Sequence, residues 1–374
     1  MSADRRVDVL VAGLGPGGCA AALAAHAQGL GTLAVEARGP QGTRAQLILV
    51  RPGAQAALRQ LGLPDITEGR RTTTIRQVEN RLRAALTAAV TAAGAAPPPP
   101  QSPHFSLCWR TSVAALDVGN DHVQVTLRDE TTGALRHLQA RHLIDATGGR
   151  LEALGRPPRE AAGPSHWVIT AEYTQPPWFE GIVGVRDRST QELCLLFPTW
   201  GRRGVIAYLD ALPGPGGDGL LLAQRFEAIA ASLGLGPPLH PATAVDVFQR
   251  TLRQPSSDRV VPIGDAVGTV DVLTGNGAST AMEDAVQAVQ AVAAAQRAGT
   301  AAAEAALTRM ANEQVFARHR RAIGRGRLIL AVRPVLERAW PAATLPHVGR
   351  DDVGPPPLLW PAVRLVFGRR PQAL

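Results

Sequence analysis

A chain of 374 residues, 45% apolar and 19% charged, is long enough for a nucleotide-binding domain and a second domain, with the composition of an ordinary globular protein. Its formal net charge of +8 rests on 39 basic residues that are all arginine, because the sequence contains no lysine. They are scattered (Arg44, Arg51, Arg59, Arg128, Arg188) with only short clusters such as 318–327, a solvated surface with a mild preference for anions that argues against nucleic-acid binding.

In chain order, Val7–Ala12 is a β-branched apolar run, followed by a glycine cluster and the Ala-rich helical stretch Cys19–Gln28. A second strand, Thr32–Val35, ends at Glu36, which completes a βαβ unit in about thirty residues. Gly53–Leu61 and Ile75–Ala93 carry helical spacing (Val78, Leu82, Leu86, Val90 in the latter), and four consecutive prolines in 95–103 require an extended loop. Alternation over Ser112–Leu116, His122–Arg128 and Leu135–Ile144 predicts three antiparallel strands, with turns at Gly119-Asn120 and Thr132-Gly133. A second β-rich section spans His166–Asp210, then a helix over Leu220–Leu233, a short buried strand at Val260–Ile263, and helices over 275–299 and 301–330. The tail from Val332, rich in proline and aromatics, carries no readable pattern.

The expected organisation is therefore an α/β chain with a Rossmann-like nucleotide-binding domain, an inserted β-sheet substrate domain and C-terminal helices. Residues 1–165 and 256–330 form the two parts of the nucleotide domain, 166–255 the insertion, and 331–374 an extension. Three separated cysteines, Cys19, Cys108 and Cys194, suggest neither zinc nor a disulfide framework. Without a signal-peptide pattern or an apolar span, the expectation is a soluble cytoplasmic protein that engages neither nucleic acid nor membrane.

Three motifs carry chemistry. Gly13-Leu14-Gly15-Pro16-Gly17-Gly18 is a G-x-G-x-x-G between strand and helix. Its glycines permit a tight turn, backbone approach to a pyrophosphate and close helix–strand packing, and the helix N-terminus offers free N–H groups to the diphosphate. Glu36, with Ala37 beside it, closes the second strand where a carboxylate accepts ribose hydroxyls. The second motif is Gly264-Asp265-Ala266 after a short strand, followed by Gly275-Asn276-Gly277-Ala278 opening a long helix. The third is Asp145-Ala146-Thr147-Gly148-Gly149 at a strand end.

These blocks resemble the FAD-dependent monooxygenases of the para-hydroxybenzoate hydroxylase fold and, more distantly, the geranylgeranyl reductases. The resemblance implies Asp265 on the ribityl hydroxyls, and Gly275, Asn276, Gly277 and Ala278 at the pyrimidine edge of the flavin. A positive helix end there stabilises an anionic reduced flavin. It also implies Thr147 and Gly148 near the cofactor, Arg44 on the diphosphate, Gln77 or Arg76 on the flavin chain, and Val113 beside the adenine. The cofactor implied is FAD, with NAD(P)H as reductant, either directly or through a separate flavin reductase. Molecular oxygen is the co-substrate and a flavin C4a-(hydro)peroxide the oxygen carrier. A homodimer is compatible with it. The catalytic residues are not specified by any motif; Tyr173, Phe197, Trp200, Arg202 and Tyr208, with His166, are the substrate-pocket candidates.

Halogenase chemistry is disfavoured by the missing lysine and by the absence of a Trp-x-Trp-x-Ile-Pro signature. An FAD-dependent dehydrogenase or reductase, and a non-redox flavin-bound cyclase or binding protein, stand as alternatives to the monooxygenase.

Overall fold

The apolar run at the N-terminus becomes β1 (Arg5–Ala12), whose residues from Val9 onward are fully buried, and the glycine cluster turns the chain into α1 (Pro16–Ala27). Two-sided burial follows from its place in the sheet, since β2 (Thr32–Glu36) and β8 (Leu135–Asp145) flank it, both parallel to it. The computed structural model describes residues 5–42, 46–63, 72–94, 105–149, 166–176, 183–186, 193–198, 204–211, 219–247, 258–268 and 276–339.

Between β2 and β8 come β3 (Leu47–Leu49), α2 (Pro52–Gln60), β4 (Thr72–Thr74), α3 (Ile75–Gly94), β5 (Phe105–Trp109), β6 (Thr111–Val118) and β7 (Val123–Asp129). The second β-rich section supplies β9 (His166–Thr174), β10 (Val183–Arg186), β11 (Leu193–Pro198), β12 (Gly204–Ala211), α4 (Gly219–Ser232) and β13 (Thr243–Val247). β14 (Val260–Pro262), a 3-10 turn at Gly264–Ala266, α5 (Gly277–Ala298) and α6 (Ala301–Ala339) follow.

Among the described residues one sheet runs β5-β2-β1-β8-β7-β6, and a second runs β10-β11-β12-β9-β13. β8 is long enough to change partners. Leu135–Ala140 pair antiparallel with β7, whereas Leu143–Asp145 pair parallel with β14. That exchange brings the Gly264-Asp265 element, far away in sequence, beside the end of β1 and the glycine turn that leaves it. The expected boundary at 165/166 falls where β9 begins, the one at 255/256 lies outside the described residues, and the one at 330/331 falls inside α6, which runs on to Ala339.

Helices α1, α2, α3 and α5 cover one face of the first sheet through Leu23, Leu58, Leu82, Leu86, Met282 and Val289. The other face packs Leu10, Leu33 and Val35 against Val125 and Leu138 of the β6–β8 meander. In the second sheet Ile169, Ala171, Tyr173, Cys194 and Leu196 pack against Phe226, Ile229 and Ala230 of α4.

Charge fastens α6 to the back of β8 and β14. Glu304 is buried and accepts from Arg259 Nη1 (2.6 Å) and from Arg141, while Asn312 donates to the carbonyl of Val260 (3.3 Å). His142 is fully buried alongside, with Nε2 3.4 Å from Thr308 Oγ1 and no partner at Nδ1. Burial, reinforced by Arg259, pushes its imidazole down to about 4 from an ordinary 6.5.

The native state therefore holds His142 neutral, and protonation favours unfolding. The stability it contributes is complete above pH 6.5 and is lost as pH falls towards 4, by about 3 kcal/mol at most. We expect urea midpoints of the wild type to drop across that window more steeply than those of His142→Leu. Parallel curves for the two proteins would show that His142 takes up its proton in the fold as readily as in the unfolded chain.

Candidate cofactor site

The site begins at the turn after β1. Gly13 has φ +91°, and a Cβ there would lie 2.6 Å from the carbonyl oxygen of Ala146, in the Asp145–Gly149 turn that ends β8. A Cβ on Gly18 would meet the carbonyl oxygen of Gly13 at 1.8 Å, so α1 packs against its own turn only without a side chain. At Gly15 the position is open, the nearest atom being Glu79 Oε1 at 3.9 Å. α1 starts at Gly15 with no side-chain cap and Pro16 in its first turn, and Cys19 N makes a helical bond to Gly15 O (2.9 Å). The N–H groups of Gly17 and Gly18, in the first turn, thus have no helical acceptor.

Glu36 closes the adjoining strand with 4% of its surface exposed. Its Oε2 accepts from Leu14 N (2.7 Å), and its Oε1 accepts from Arg38 N (3.0 Å) and Nε (2.9 Å). Burial alone would raise this carboxyl, but the bonds from Arg38 and Leu14 outweigh it and hold the group below its ordinary value. An ionised carboxylate has about four acceptor positions, so these three donors leave one, on Oε2, for a ribose hydroxyl.

Arg83 of α3, 3% exposed, locks the same turn from below. It donates to Leu14 O from Nε (3.2 Å) and Nη2 (3.0 Å) and to Gly39 O (3.2 Å), pairs with Glu79 (3.6 Å), and lies 5.3 Å over the Trp109 ring. Sequence reading missed Arg83, Glu79 and Arg38; an Arg four residues after a Glu within an apolar helical stripe was the available signal. Cys19 donates its thiol to Leu14 O (3.2 Å), and burial pushes that thiol up, which suits a packing residue and not a redox one.

The second motif meets the first at Ala281. Gly264 has φ +58°, and a Cβ there would stand 2.8 Å from Ala281 Cβ; one on Gly17 would stand 2.9 Å from the same atom. α5 is likewise uncapped at Asn276, with Gly277 and Ala278 in its first turn. Asp265 is exposed, with Oδ1 4.0 Å from where a Gly277 Cβ would stand. Arg51 fastens α2 to this helix, donating from N to Ser279 Oγ (3.0 Å) and from Nη2 to Thr280 Oγ1 (3.1 Å), and pairing with Glu283 (3.1 Å).

Gly13, Gly15, Pro16, Gly17, Gly18, Glu36, Thr147, Gly148, Gly264, Asp265, Asn276, Gly277 and Ala278 are thus assembled around two helix N-termini. Thr147 donates from N (3.1 Å) and Oγ1 (2.7 Å) to Asp145, and Gly148 takes φ +68°. Ala37 is half-buried in the bend after Glu36. Val113 packs on the meander core next to a bulge at 113/115. Arg44, Gly275, Trp200 and Arg202 lie outside the described residues.

Two of the expected site residues are engaged elsewhere in the fold. Strand parity turns Tyr173 into the α4 core, where it is 2% exposed and burial pushes its hydroxyl up to about 12. Gln77 is already committed: its amide donates to Glu172 Oε1 (2.9 Å) and its carbonyl accepts from Thr73 Oγ1 (2.6 Å) and Thr74 N (3.2 Å). Arg76 bonds the same Glu172. Glu172 lies on the face of the second sheet opposite α4, and this pair joins that face to the start of α3. Thr170, fully buried with an unpartnered hydroxyl, and Phe197, 2% exposed, alternate onto the same face. Tyr208 lies opposite Thr170 in register.

The geometry fits an extended dinucleotide: two uncapped helix N-termini for anionic groups, a buried carboxylate for a ribose, and an open glycine between them. Residues 220–319 match the family described as FAD binding domain. No curated protein matches by sequence. Among solved structures, the flavin-dependent monooxygenase PieE, in complex with FAD and substrate, aligns with a TM-score of 0.71 at 17% identity, over 91% of this chain and 66% of its own. PqsL from Pseudomonas aeruginosa, in complex with 2-aminobenzoylacetate, aligns at 0.66 and 18%, over 88% and 96%. The flavin-dependent halogenase CmlS aligns at 0.66 and 18%, over 87% and 64%. The chain spans just under two thirds of PieE and of CmlS. The resemblance read in the sequence is borne out at the level of the fold: this is the FAD-binding fold of the monooxygenases of para-hydroxybenzoate hydroxylase type. Among the described residues no helix is long and apolar enough to cross a membrane.

Proposed function

We propose that the protein is an FAD-dependent monooxygenase that inserts one oxygen atom from O2 into a small organic substrate, drawing electrons from NAD(P)H. The observation that carries this reading is the meeting of α1 and α5 at Ala281, which sets two uncapped helix N-termini side by side with Glu36 on one flank and Asp265 on the other. A diphosphate belongs on the N–H groups of Gly17 and Gly18, a ribose on Glu36, a ribityl chain on Asp265, and the pyrimidine edge of a flavin at Gly277 and Ala278. The bound flavin supplies the oxygen-activating redox chemistry. The chain's own contribution is to hold it, to bias it electrostatically through α5, and to keep water from the substrate.

The substrate belongs on the second-sheet face that carries Thr170, Glu172 and Phe197, where a small apolar chamber would bear few polar groups. PqsL, of this fold, was solved with an aromatic keto acid, which makes that class the first to try.

The test is NAD(P)H oxidation by the FAD-loaded protein under 18O2, with 2-aminobenzoylacetate and related aroyl acids as probes. Substrate-stimulated consumption with one 18O atom in the product is expected. Turnover that continues unchanged without oxygen would point to a dehydrogenase or reductase. Product formation that needs chloride would point to a halogenase, and reduction only on adding a flavin reductase would identify the electron donor as indirect.

A further inference from the structure

Behind the cofactor side of the 264–268 turn lies a buried polar cluster that the functional reading does not use. Asp284, in the second turn of α5, and His319, on α6, are each fully buried. Asp284 Oδ1 accepts from Arg318 Nη1 (2.6 Å), and its Oδ2 accepts from His319 Nε2 (2.6 Å) and, more weakly, from Gly264 N (3.4 Å). His319 donates from Nδ1 to the carbonyl of Gly268 (3.1 Å). Arg318 also bonds Gln287, and it is the charged group that the described contacts place beside Asp284 on the α6 side.

These bonds reach both ends of one five-residue turn, Gly264 through Asp284 and Gly268 through His319. Asp265, the exposed acid at the flavin end, lies between them. A buried charged pair is costly to desolvate and contributes little to stability for its own sake, so its use here is sought in what it holds. We propose that Asp284 and His319 are positioning residues that fix the 264–268 turn, and with it Asp265, for the flavin half of FAD. Neither touches the cofactor; both act through the backbone at Gly264 and Gly268. This inference rests on the FAD reading above.

The two ring nitrogens can be separated by substitution. An asparagine amide reproduces the Nδ1 donor to Gly268, whereas a glutamine amide reaches toward Asp284 as Nε2 does. His319→Gln is expected to weaken FAD binding about tenfold, the loss of one charge-assisted hydrogen bond, while ADP, which occupies only the adenosine half, binds within twofold of wild type. His319→Asn is expected to stay within threefold for both, although asparagine fills the buried volume less well than glutamine does. In the background of Asp265→Ala, the His319→Gln effect on FAD is expected to vanish, since the turn then presents nothing.

Loss of ADP and FAD affinity in parallel, an Asn variant weaker than the Gln variant, or additive effects with Asp265→Ala would each overturn the proposal. Should His319→Gln fail to fold, His319→Asn decides, because a tenfold loss there contradicts the role given to the Gly268 bond and retention supports it. Wild-type protein that refuses FAD overturns the functional reading itself, a failure seen before any variant is made.

Discussion

Alanine at Gly18 is expected to cost the protein its folded N-terminal unit, whereas alanine at Gly15 is expected to leave the fold intact and remove the cofactor. The two glycines belong to one motif but face different obstacles. At Gly18 the added Cβ lands 1.8 Å from the Gly13 carbonyl oxygen and 3.1 Å from Ala146 Cβ, and backbone cannot move aside there without parting α1 from β1. Forced overpacking of this kind costs upwards of about 3 kcal/mol, a fall in Tm of roughly 4 °C or more for a chain of this size. Gly15 has φ −69° and ψ −175°, extended backbone that any residue adopts, and its Cβ position is open. Its replacement should therefore change stability by less than about 1 kcal/mol. The methyl group would nevertheless stand where a diphosphate must approach the N–H groups of Gly17 and Gly18, so FAD affinity is expected to fall at least tenfold. Thermal melts of the apo proteins and flavin titrations separate the two. A Gly15→Ala protein that keeps wild-type FAD affinity would mean that the diphosphate does not lie over this turn.

The same contrast explains how much the sequence disclosed. Gly13 to Gly18 and Glu36 are legible because one local turn fixes all of their demands within a single βαβ unit. Gly264 and Asp265 are legible as a motif, yet the meeting of Gly264 with Gly17 at Ala281 depends on β8 exchanging β7 for β14 along its length, which no local pattern announces. β5 is five residues directly after a proline-rich stretch and alternates too briefly to stand out, although it extends the parallel sheet beside Glu36. The place of Tyr173 in the α4 core was hidden for a related reason. Strand parity is readable, but which face α4 covers is decided by tertiary packing, and that choice sends Tyr173 inward and Glu172 to the opposite face. Buried charges such as Arg83, Glu172 and His319 look like surface residues until their partners, tens of positions away, are known.

Glu36→Ala is expected to lower FAD affinity ten- to a hundredfold while barely changing the affinity for FMN. The carboxylate is ionised, since Arg38 and Leu14 overcome the effect of its burial, and three of its acceptor positions are taken by Leu14 N, Arg38 N and Arg38 Nε. A ribose hydroxyl would use the one that remains, and a hydrogen bond to a charged acceptor is worth about 1.5–3 kcal/mol. FMN has no adenosine ribose and should not register the change, whereas Asp265→Ala, at the other end, should weaken FAD and FMN alike. Removing the side chain also strips Leu14 N of its acceptor, so some loss of stability accompanies it; affinities are therefore compared on protein verified as folded by circular dichroism. The pH dependence carries its own sign. Because the folded carboxyl is held below its ordinary value of 4.5, the acceptor is present throughout the neutral range, and FAD affinity should decline only as pH falls through that lowered value. Equal weakening of FAD and FMN by Glu36→Ala would place the ribose elsewhere and would undo the orientation of the cofactor from Glu36 to Asp265.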